Sequence, residues 1–246
     1  MGSVPVSPRS RSCRVPEKRP KFLVVPHAFV LVFRQPVHVL ELYFATQGSR
    51  ATSLSFHRWP ASNTVRSVRR LVIRLLFIPS LIYNLVLERL LPSRRWWDQV
   101  EDHVLLGALP LPWIVDDMAA AGVRAVVNTC AEYGGPTAGY ARHSIKQLRT
   151  PTLDFTPPTL ESIERAVEFI ETHRRRGHTV YIHCKAGRGR SATVALCWLV
   201  AYRGMTPERA QAHLESVRPH INRTLWQRDV VRQFARVHGQ NACSNP

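Results

Sequence analysis

Residues 180–193 combine a cysteine, an arginine and two glycines in a pattern suited to an anionic substrate. Their sequence is VYIHCKAGRGRSAT, in which Cys184 precedes Arg190 by six positions and Gly187 and Gly189 lie between them. The β-branched residues before the cysteine predict a strand, and the residues after the arginine predict a helix. A tight loop that leads into a helix directs backbone N–H groups and partial positive charge at an anion.

This loop favours attack by sulfur on the phosphorus of a phosphate monoester. The field of the helix N-terminus stabilises the thiolate of Cys184, and the planar guanidinium of Arg190 can bind two phosphate oxygens. His183 before the cysteine and Ser191 after the arginine make the pattern far more specific than the cysteine and arginine alone. The predicted phosphate-binding residues are Lys185, Ala186, Gly187, Arg188, Gly189 and Arg190.

Such a reaction needs a general acid to protonate the leaving oxygen. Asp154 is the only carboxylate between Glu132 and Glu161, and it lies in an irregular, proline-rich segment after a predicted strand. A loop of this kind can place a side chain over the C-terminal edge of a neighbouring strand. We therefore predict that Asp154 is the general acid; a turn-forming or capping aspartate is the alternative.

Alternating strand and helix patterns surround these residues and predict an α/β fold. The predicted strands are Val104–Leu106, Val123–Asn128, Ile145–Leu148 and Thr179–Ile182. The predicted helices cover 112–121, 160–176, 191–203, a segment from Pro207 that Thr206 caps, and 225–238. Crossover connections imply a central, mostly parallel sheet flanked by helices, within a domain at residues 96–240 followed by a tail at 241–246.

The basic charge of the chain is concentrated before this domain. The 246 residues carry a formal net charge of +17, and residues 1–95 hold 16 of the 34 Lys and Arg but only three acids. Because the domain itself is nearly balanced and lacks interleaved basic and aromatic residues, nucleic-acid binding is not predicted. Residues 1–65 are an extension whose first 20 residues are rich in Ser and Arg, which is typical of organelle transit peptides; a late secretory signal is the alternative.

Residues 66–95 form a separate apolar segment between arginines, and Trp96 and Trp97 follow it. The stretch 75–87 covers about 20 Å as a helix, which is too short for a hydrocarbon core of about 30 Å. We expect residues 66–97 to contact a membrane surface from the headgroup region. An ordinary helix packed on the domain is the alternative.

The five cysteines are scattered and odd in number, so neither a disulfide framework nor a zinc site is predicted.

The motif His-Cys-x5-Arg-Ser resembles the signature of the cysteine-dependent protein tyrosine and dual-specificity phosphatases. Further segments resemble the mitochondrial phosphatidylglycerophosphate phosphatase branch, as does the arginine-flanked apolar segment at 75–87. They are residues 105–110 (LLGALP), 132–133 (EY), 147–149 (QLR), the loop of Asp154, and 183–188 (HCKAGR). The sequence departs from the animal members of that branch at 131–136 (AEYGGP), where those members have a longer acidic run.

The resemblance implies roles for individual residues. Cys184 would form a phosphocysteine, Arg190 would bind the phosphoryl group, and Asp154 would protonate the leaving oxygen and then activate water. Ser191 would donate a hydrogen bond to the sulfur, and His183 would orient the loop and support the thiolate rather than act as a base. The branch needs no metal or other cofactor.

Three classes of function remain open at this point. The first is a lipid phosphatase that converts phosphatidylglycerophosphate to phosphatidylglycerol at the mitochondrial inner membrane, on the path to cardiolipin; a plastid is the alternative location and phosphoinositides are an alternative substrate. The second is a protein phosphatase acting on phosphotyrosine, phosphoserine or phosphothreonine. The third, a non-catalytic phosphate-binding module, is disfavoured because Cys184, Arg190 and Asp154 are all present.

Overall fold

A computed structural model describes residues 75, 77–86, 90 and 94–238 of the chain. The predicted extension at 1–65 and the tail at 241–246 lie outside the described residues, as does the whole of the basic stretch at 66–74. Within the described part, no helix is both long and apolar enough to span a membrane.

Five strands form one sheet in the order β1-β2-β5-β3-β4. The strands are β1 (Trp97–Glu101), β2 (Val104–Gly107), β3 (Val123–Cys130), β4 (Lys146–Thr152) and β5 (Thr179–His183). The edge strand β1 is antiparallel to β2, whereas β2, β5, β3 and β4 run parallel to one another. The strand that leads into Cys184 is therefore central, and the C-terminal ends of β2 and β3 lie on either side of it.

The described helices follow the same chain order. A first helix, α1, covers residues 77–86. The others are α2 (Val115–Ala120), α3 (Thr137–Arg142), α4 (Leu160–Arg175), α5 (Arg190–Arg203), α6 (Pro207–Val217) and α7 (Asp229–His238). The side chains of Thr159 and Thr206 accept hydrogen bonds from backbone N–H groups in the first turns of α4 and α6, which is the usual way to start a helix.

Helix α5 lies at the centre of the main hydrophobic core. Every residue from Arg190 to Val200 is buried, so this helix has no solvent-facing stripe over its first three turns. It packs between the sheet and helices α4, α6 and α7. Because α5 is surrounded by protein, its N-terminus and the loop before it have a fixed position relative to the sheet.

The mixed α/β architecture predicted from sequence is confirmed, including the mostly parallel sheet. Strand β1 and helix α3 were not predicted. Strand β1 is short, and its polar Asp98 and Gln99 interrupt the apolar pattern that marks a buried strand. Helix α3 contains a glycine and only six residues, which is too little for a helical period to appear in the sequence.

Helix α1 packs one face against the domain and leaves the other exposed. Phe77 is buried, whereas Ile78, Ile82 and Val86 are about half exposed, at 56%, 54% and 47%. The buried face agrees with the alternative of a helix packed on the domain, whereas contact of this segment with a membrane surface stays a prediction.

Candidate active site

The predicted phosphate loop, residues 184–189, connects β5 to the N-terminus of α5. Gly187 has φ +68°, and a Cβ there would lie 2.5 Å from the carbonyl oxygen of Gly107 at the end of β2. Glycine is therefore required at 187 both by its left-handed backbone and by the close approach of β2. At Gly189 the nearest atom to a Cβ would be 3.7 Å away, so space does not require glycine there.

Arg218, in the segment after α6, holds the outer side of this loop. Its Nε donates to the carbonyl of Gly187 at 3.1 Å and its Nη2 donates to that of Ala186 at 3.2 Å. Asp98 of β1 pairs with Nη1 of Arg218 at 2.5 Å, which balances the buried charge. With these two carbonyls bound on the outside, the N–H groups of the same peptide planes, on Gly187 and Arg188, are directed to the inside of the loop.

Cys184 is buried and accepts hydrogen bonds at its sulfur. The hydroxyl of Ser191 lies 3.3 Å from Sγ of Cys184, and the Ser191 backbone N–H also donates to it. Burial alone would raise the pKa of Cys184, but the charge of Arg190 and the two Ser191 hydrogen bonds outweigh burial and lower it to about 7. The sulfur is therefore largely thiolate above neutral pH.

Arg190 is held along one edge and has donors free along the other. Its Nη1 donates to Oε2 of Glu132 at 2.8 Å and to the carbonyl of Thr152 at 2.7 Å. Its Nε and Nη2 are buried and donate no hydrogen bond to any described residue, although Nη2 lies 3.0 Å from Oδ1 of Asp154. A phosphoryl group in the loop can supply two oxygens to these unused donors.

Asp154 reaches the loop from the segment after β4. Its carboxylate lies between Arg190 and Lys185, and Lys185 Nζ is within ion-pair distance of its Oδ2. Oε1 of Glu132 accepts from the backbone N–H of Asp154 at 2.8 Å, so one buried glutamate fixes both Arg190 and Asp154. The next residue, Phe155, has φ +61°, a rare backbone conformation for a bulky residue, and its side chain is 70% exposed.

His183 is fully buried and lies behind the loop. Burial, together with the charge of Arg190, lowers the pKa of His183 to about 3 despite a hydrogen-bond contact to the Cys184 carbonyl. Its Nδ1 lies 3.3 Å from that carbonyl oxygen, and Thr129 Oγ1 donates to the carbonyl of His183 at 2.9 Å. The imidazole is neutral, so the positive charge that stabilises the thiolate comes from Arg190 rather than from His183.

The two additional cations of the loop differ in their surroundings. Lys185 is buried against α1, where its Nζ donates to Ser80 Oγ at 2.9 Å and lies 5.5 Å from the centre of the Phe77 ring. Arg188 instead lines a cleft together with Asn84 of α1 and with Arg94 and Arg218. Helix α1 therefore borders the catalytic loop on the side of both cations.

Sequence reasoning missed two residues that organise the site. Glu132 was noted only within a family-like pair, and Arg218 was not singled out. A carboxylate directly after a buried strand next to β5 is a signal that could have identified Glu132. Arg218 lies 34 residues after Cys184 and gives no local signal.

Within the described residues, no group of three or more His, Cys, Asp or Glu is arranged to hold a metal ion.

The lowered pKa of Cys184 predicts alkylation at neutral pH. The rate of reaction with iodoacetamide should rise through a midpoint near pH 7, because the thiolate is the reactive form. Ser191→Ala should move the midpoint upward, since it removes one hydrogen bond to the sulfur. Mass spectrometry of the labelled peptide separates Cys184 from buried Cys197, whose pKa burial raises. A midpoint above pH 8.5 in the wild type contradicts the geometry described.

The position of Glu132 predicts that Glu132→Gln lowers kcat on a soluble aryl phosphate by about tenfold or more. The change removes the charge that holds Arg190 and weakens the placement of Asp154. Asp116→Asn is the matched control, because Asp116 pairs with Arg142 and His143 at the surface, where ion pairs contribute little. Equal kcat values for the two variants would show that Glu132 does not position the site.

The family model for the catalytic domain of dual specificity phosphatases matches residues 112–236. Among curated proteins, phosphatidylglycerophosphate phosphatase PTPMT2 of Arabidopsis thaliana is 40% identical over 167 residues, covering 67% of this chain and 73% of that protein. The PTPMT1 protein of the same plant is 36% identical over 200 residues, which is 80% of this chain but only 59% of that relative. The human phosphatidylglycerophosphatase and protein-tyrosine phosphatase 1 is 34% identical, over 65% of this chain and 85% of the human protein.

Solved structures are also similar to this chain. The crystal structure of PTPMT1 aligns with a TM-score of 0.55 and 31% identity, over 61% of this chain and 100% of that one. Its complex with PI(5)P aligns with a TM-score of 0.55 and 29% identity, over 60% and 99% of the two chains. With the cysteine, arginine and aspartate assembled around one loop, the chain belongs to the dual specificity phosphatase family.

Proposed function

We propose that this protein is a phosphatase that hydrolyses phosphatidylglycerophosphate to phosphatidylglycerol through a phosphocysteine intermediate. The observation that carries the proposal is the assembly of a thiolate, two unused Arg190 donors and the Asp154 carboxyl around one anion-binding loop. The choice of substrate is supported by the names of the relatives from Arabidopsis and human, which act on this lipid.

In the first step, the phosphoryl group enters the loop and takes the place of the Asp154 carboxylate on Arg190. The Cys184 thiolate attacks phosphorus, and the bond from phosphorus to the glycerol oxygen breaks. Asp154, which takes up a proton once the phosphoryl group has displaced it from Arg190, gives that proton to the departing oxygen. Loop N–H groups and Arg190 bind the phosphoryl oxygens, whose geometry changes as the bond breaks.

In the second step, water attacks the phosphorus of the phosphocysteine. Asp154, now a carboxylate, takes a proton from the water, and the bond between phosphorus and sulfur breaks. Ser191 stabilises the departing thiolate through the hydroxyl that lies 3.3 Å from the sulfur. Inorganic phosphate then leaves, and the enzyme returns to its starting state.

A lipid substrate is further supported by the apolar groups that surround the loop. Exposed side chains of α1 form a stripe on the face opposite Phe77, and Phe155 next to Asp154 is also exposed. A helix that lies in the headgroup region with its apolar side down brings the loop to the lipid phosphate without extraction of the lipid. The exposed stripe of α1 would thus contact the membrane surface and orient the enzyme on it. The predicted contact at 66–97 extends too far, because Trp97 lies in β1 and packs against Tyr181.

Location at the mitochondrial inner membrane is part of the same proposal. It is supported by the Arg- and Ser-rich first 20 residues, which resemble a transit peptide, and a plastid is the alternative. The catalytic residues would serve a phosphoprotein or a phosphoinositide equally well. The name of the human relative includes protein-tyrosine phosphatase, so a protein substrate is the second candidate.

Substrate preference is tested by phosphate release from phosphatidylglycerophosphate in mixed micelles beside a phosphotyrosine peptide. We expect a higher kcat/KM for the lipid, and a loss of roughly 10³-fold or more in Cys184→Ser because the nucleophile is absent. A preference for the peptide would contradict the lipid assignment and keep the mechanism. Full activity in Cys184→Ser would contradict the mechanism itself.

Membrane contact by α1 is tested with Ile78→Glu/Ile82→Glu. Two charges on the exposed stripe should lower binding to vesicles that contain anionic phospholipid by about tenfold or more, because apolar area is no longer buried in the lipid. Sedimentation with vesicles measures the bound fraction. Val237→Glu on α7 is the control, since Val237 is 53% exposed and Ile82 is 54% exposed. Equal binding by the double variant and the wild type would overturn the proposed contact.

A further inference from the structure

A basic cleft lies next to the catalytic loop and is not used by the mechanism above. It is bordered by Asn84 of α1, by Arg94, Arg95 and Trp96 before β1, by Ala108, by Ala186 and Arg188 of the loop, and by Arg218 and His220. None of these residues is acidic. We call this surface the arginine cleft.

The positive charge of the arginine cleft is only partly balanced. Asp98 is the nearby carboxylate, and it is already bound to Arg95 at 2.6 Å and to Arg218. Neither Arg94 nor Arg188 pairs with a carboxylate of a described residue. Among the described residues, two guanidinium groups thus have no counter-charge at the same place.

Neutral polar groups in the arginine cleft also lack partners. Nε1 of Trp96 and Nδ1 of His220 are buried and make no hydrogen bond to any described residue. A buried indole N–H without an acceptor is costly, and an anion is an acceptor that could also balance Arg94 and Arg188. Charge and hydrogen-bond capacity thus point to the same kind of ligand.

Burial and the positive charges of the arginine cleft lower the pKa of the neutral His220 within it. Burial, and then the charges of Arg218, Arg94 and Arg188, lower the pKa of His220 to about 3. Burial and the charge of Arg188 likewise lower the pKa of Arg94. These directions agree with a surplus of positive potential in the cleft.

The arginine cleft and the catalytic position share the same loop and the same helix. Lys185, whose ammonium group contacts Asp154, also contacts Ser80, whereas Asn84 borders the cleft. Asn84 follows Ser80 by four positions in α1, a distance of about 6 Å along the helix. The two places thus border α1 within about one helical turn of each other.

We propose that the arginine cleft is a second anion subsite that binds the phosphodiester of the substrate while its phosphate monoester lies at Cys184. This assignment rests on the proposed function, because phosphatidylglycerophosphate carries these two phosphates at either end of one glycerol unit. The subsite selects substrates with two phosphates over those with one.

The test uses two soluble substrates, so that membrane binding plays no part. One is glycerophosphoglycerophosphate, the deacylated headgroup, and the other is glycerol 3-phosphate, which has only the monoester. Steady-state kcat/KM values for both are measured with wild type, Arg94→Gln, Arg94→Lys and Arg209→Gln. Arg209 is exposed on α6 and provides the matched loss of one positive charge. Alkylation of Cys184 near pH 7 verifies that each variant retains the folded loop.

We expect the ratio of kcat/KM for the two-phosphate substrate to that for the one-phosphate substrate to fall about tenfold in Arg94→Gln. Arg94→Lys should recover part of the ratio, and Arg209→Gln should have the wild-type ratio. Isothermal titration of the Cys184→Ser protein with inorganic phosphate tests free phosphate as the occupant. A ratio that Arg94→Gln leaves unchanged overturns the subsite, whether or not a second equivalent of phosphate binds.

The outcomes separate the subsite from the function on which it rests. A wild-type enzyme that prefers the phosphotyrosine peptide contradicts the lipid function. A wild type that prefers the lipid, and whose two-phosphate preference is the same in Arg94→Gln, contradicts only the arginine cleft as its origin.

Discussion

The site depends on one buried guanidinium. Arg190 is the positive charge that lowers the pKa of Cys184, and it is also the group that Glu132 and Asp154 approach. A charge so deeply buried is stable only where its partners are fixed, and those partners come from the segments after β3 and β4. The order of the parallel strands is thus a requirement of this interaction, since it brings the ends of three strands to the same edge.

Charge balance at the site changes when substrate enters. In the structure, the Asp154 carboxylate lies against both Arg190 and Lys185, at the place where a phosphoryl oxygen would otherwise lie. The carboxyl that we propose as the general acid is therefore also the counter-ion of Arg190 and Lys185. Substrate must compete with it, and a doubly negative phosphate monoester does so better than a singly charged anion.

Much of this could be predicted from sequence because the relevant signals are local. The strand, the loop from Cys184 to Arg190 and the helix after it form one continuous segment, and Asp154 is the only acid in its stretch of chain. Contacts between distant segments gave no such signal. Arg218 reaches the loop from a position after α6, and Arg188 faces the cleft rather than Asp154, because α1 and the segment before β1 pack beside it. The hydrophobic periodicity of a sequence does not predict contacts between segments that are distant along the chain.

The ion pair between Asp98 and Arg218 joins the catalytic loop to a strand outside the segment that matches the family model. The family match begins at Pro112, after both β1 and β2, whereas Asp98 lies in β1 and Arg218 lies inside the match. The carboxylate that pairs with Arg218 at the loop carbonyls therefore comes from an edge strand that the family model does not include. Substitutions in β1, before the matched segment, can therefore change how Arg218 binds the loop backbone. Relatives with identical signature motifs can then differ in how rigidly that backbone is held.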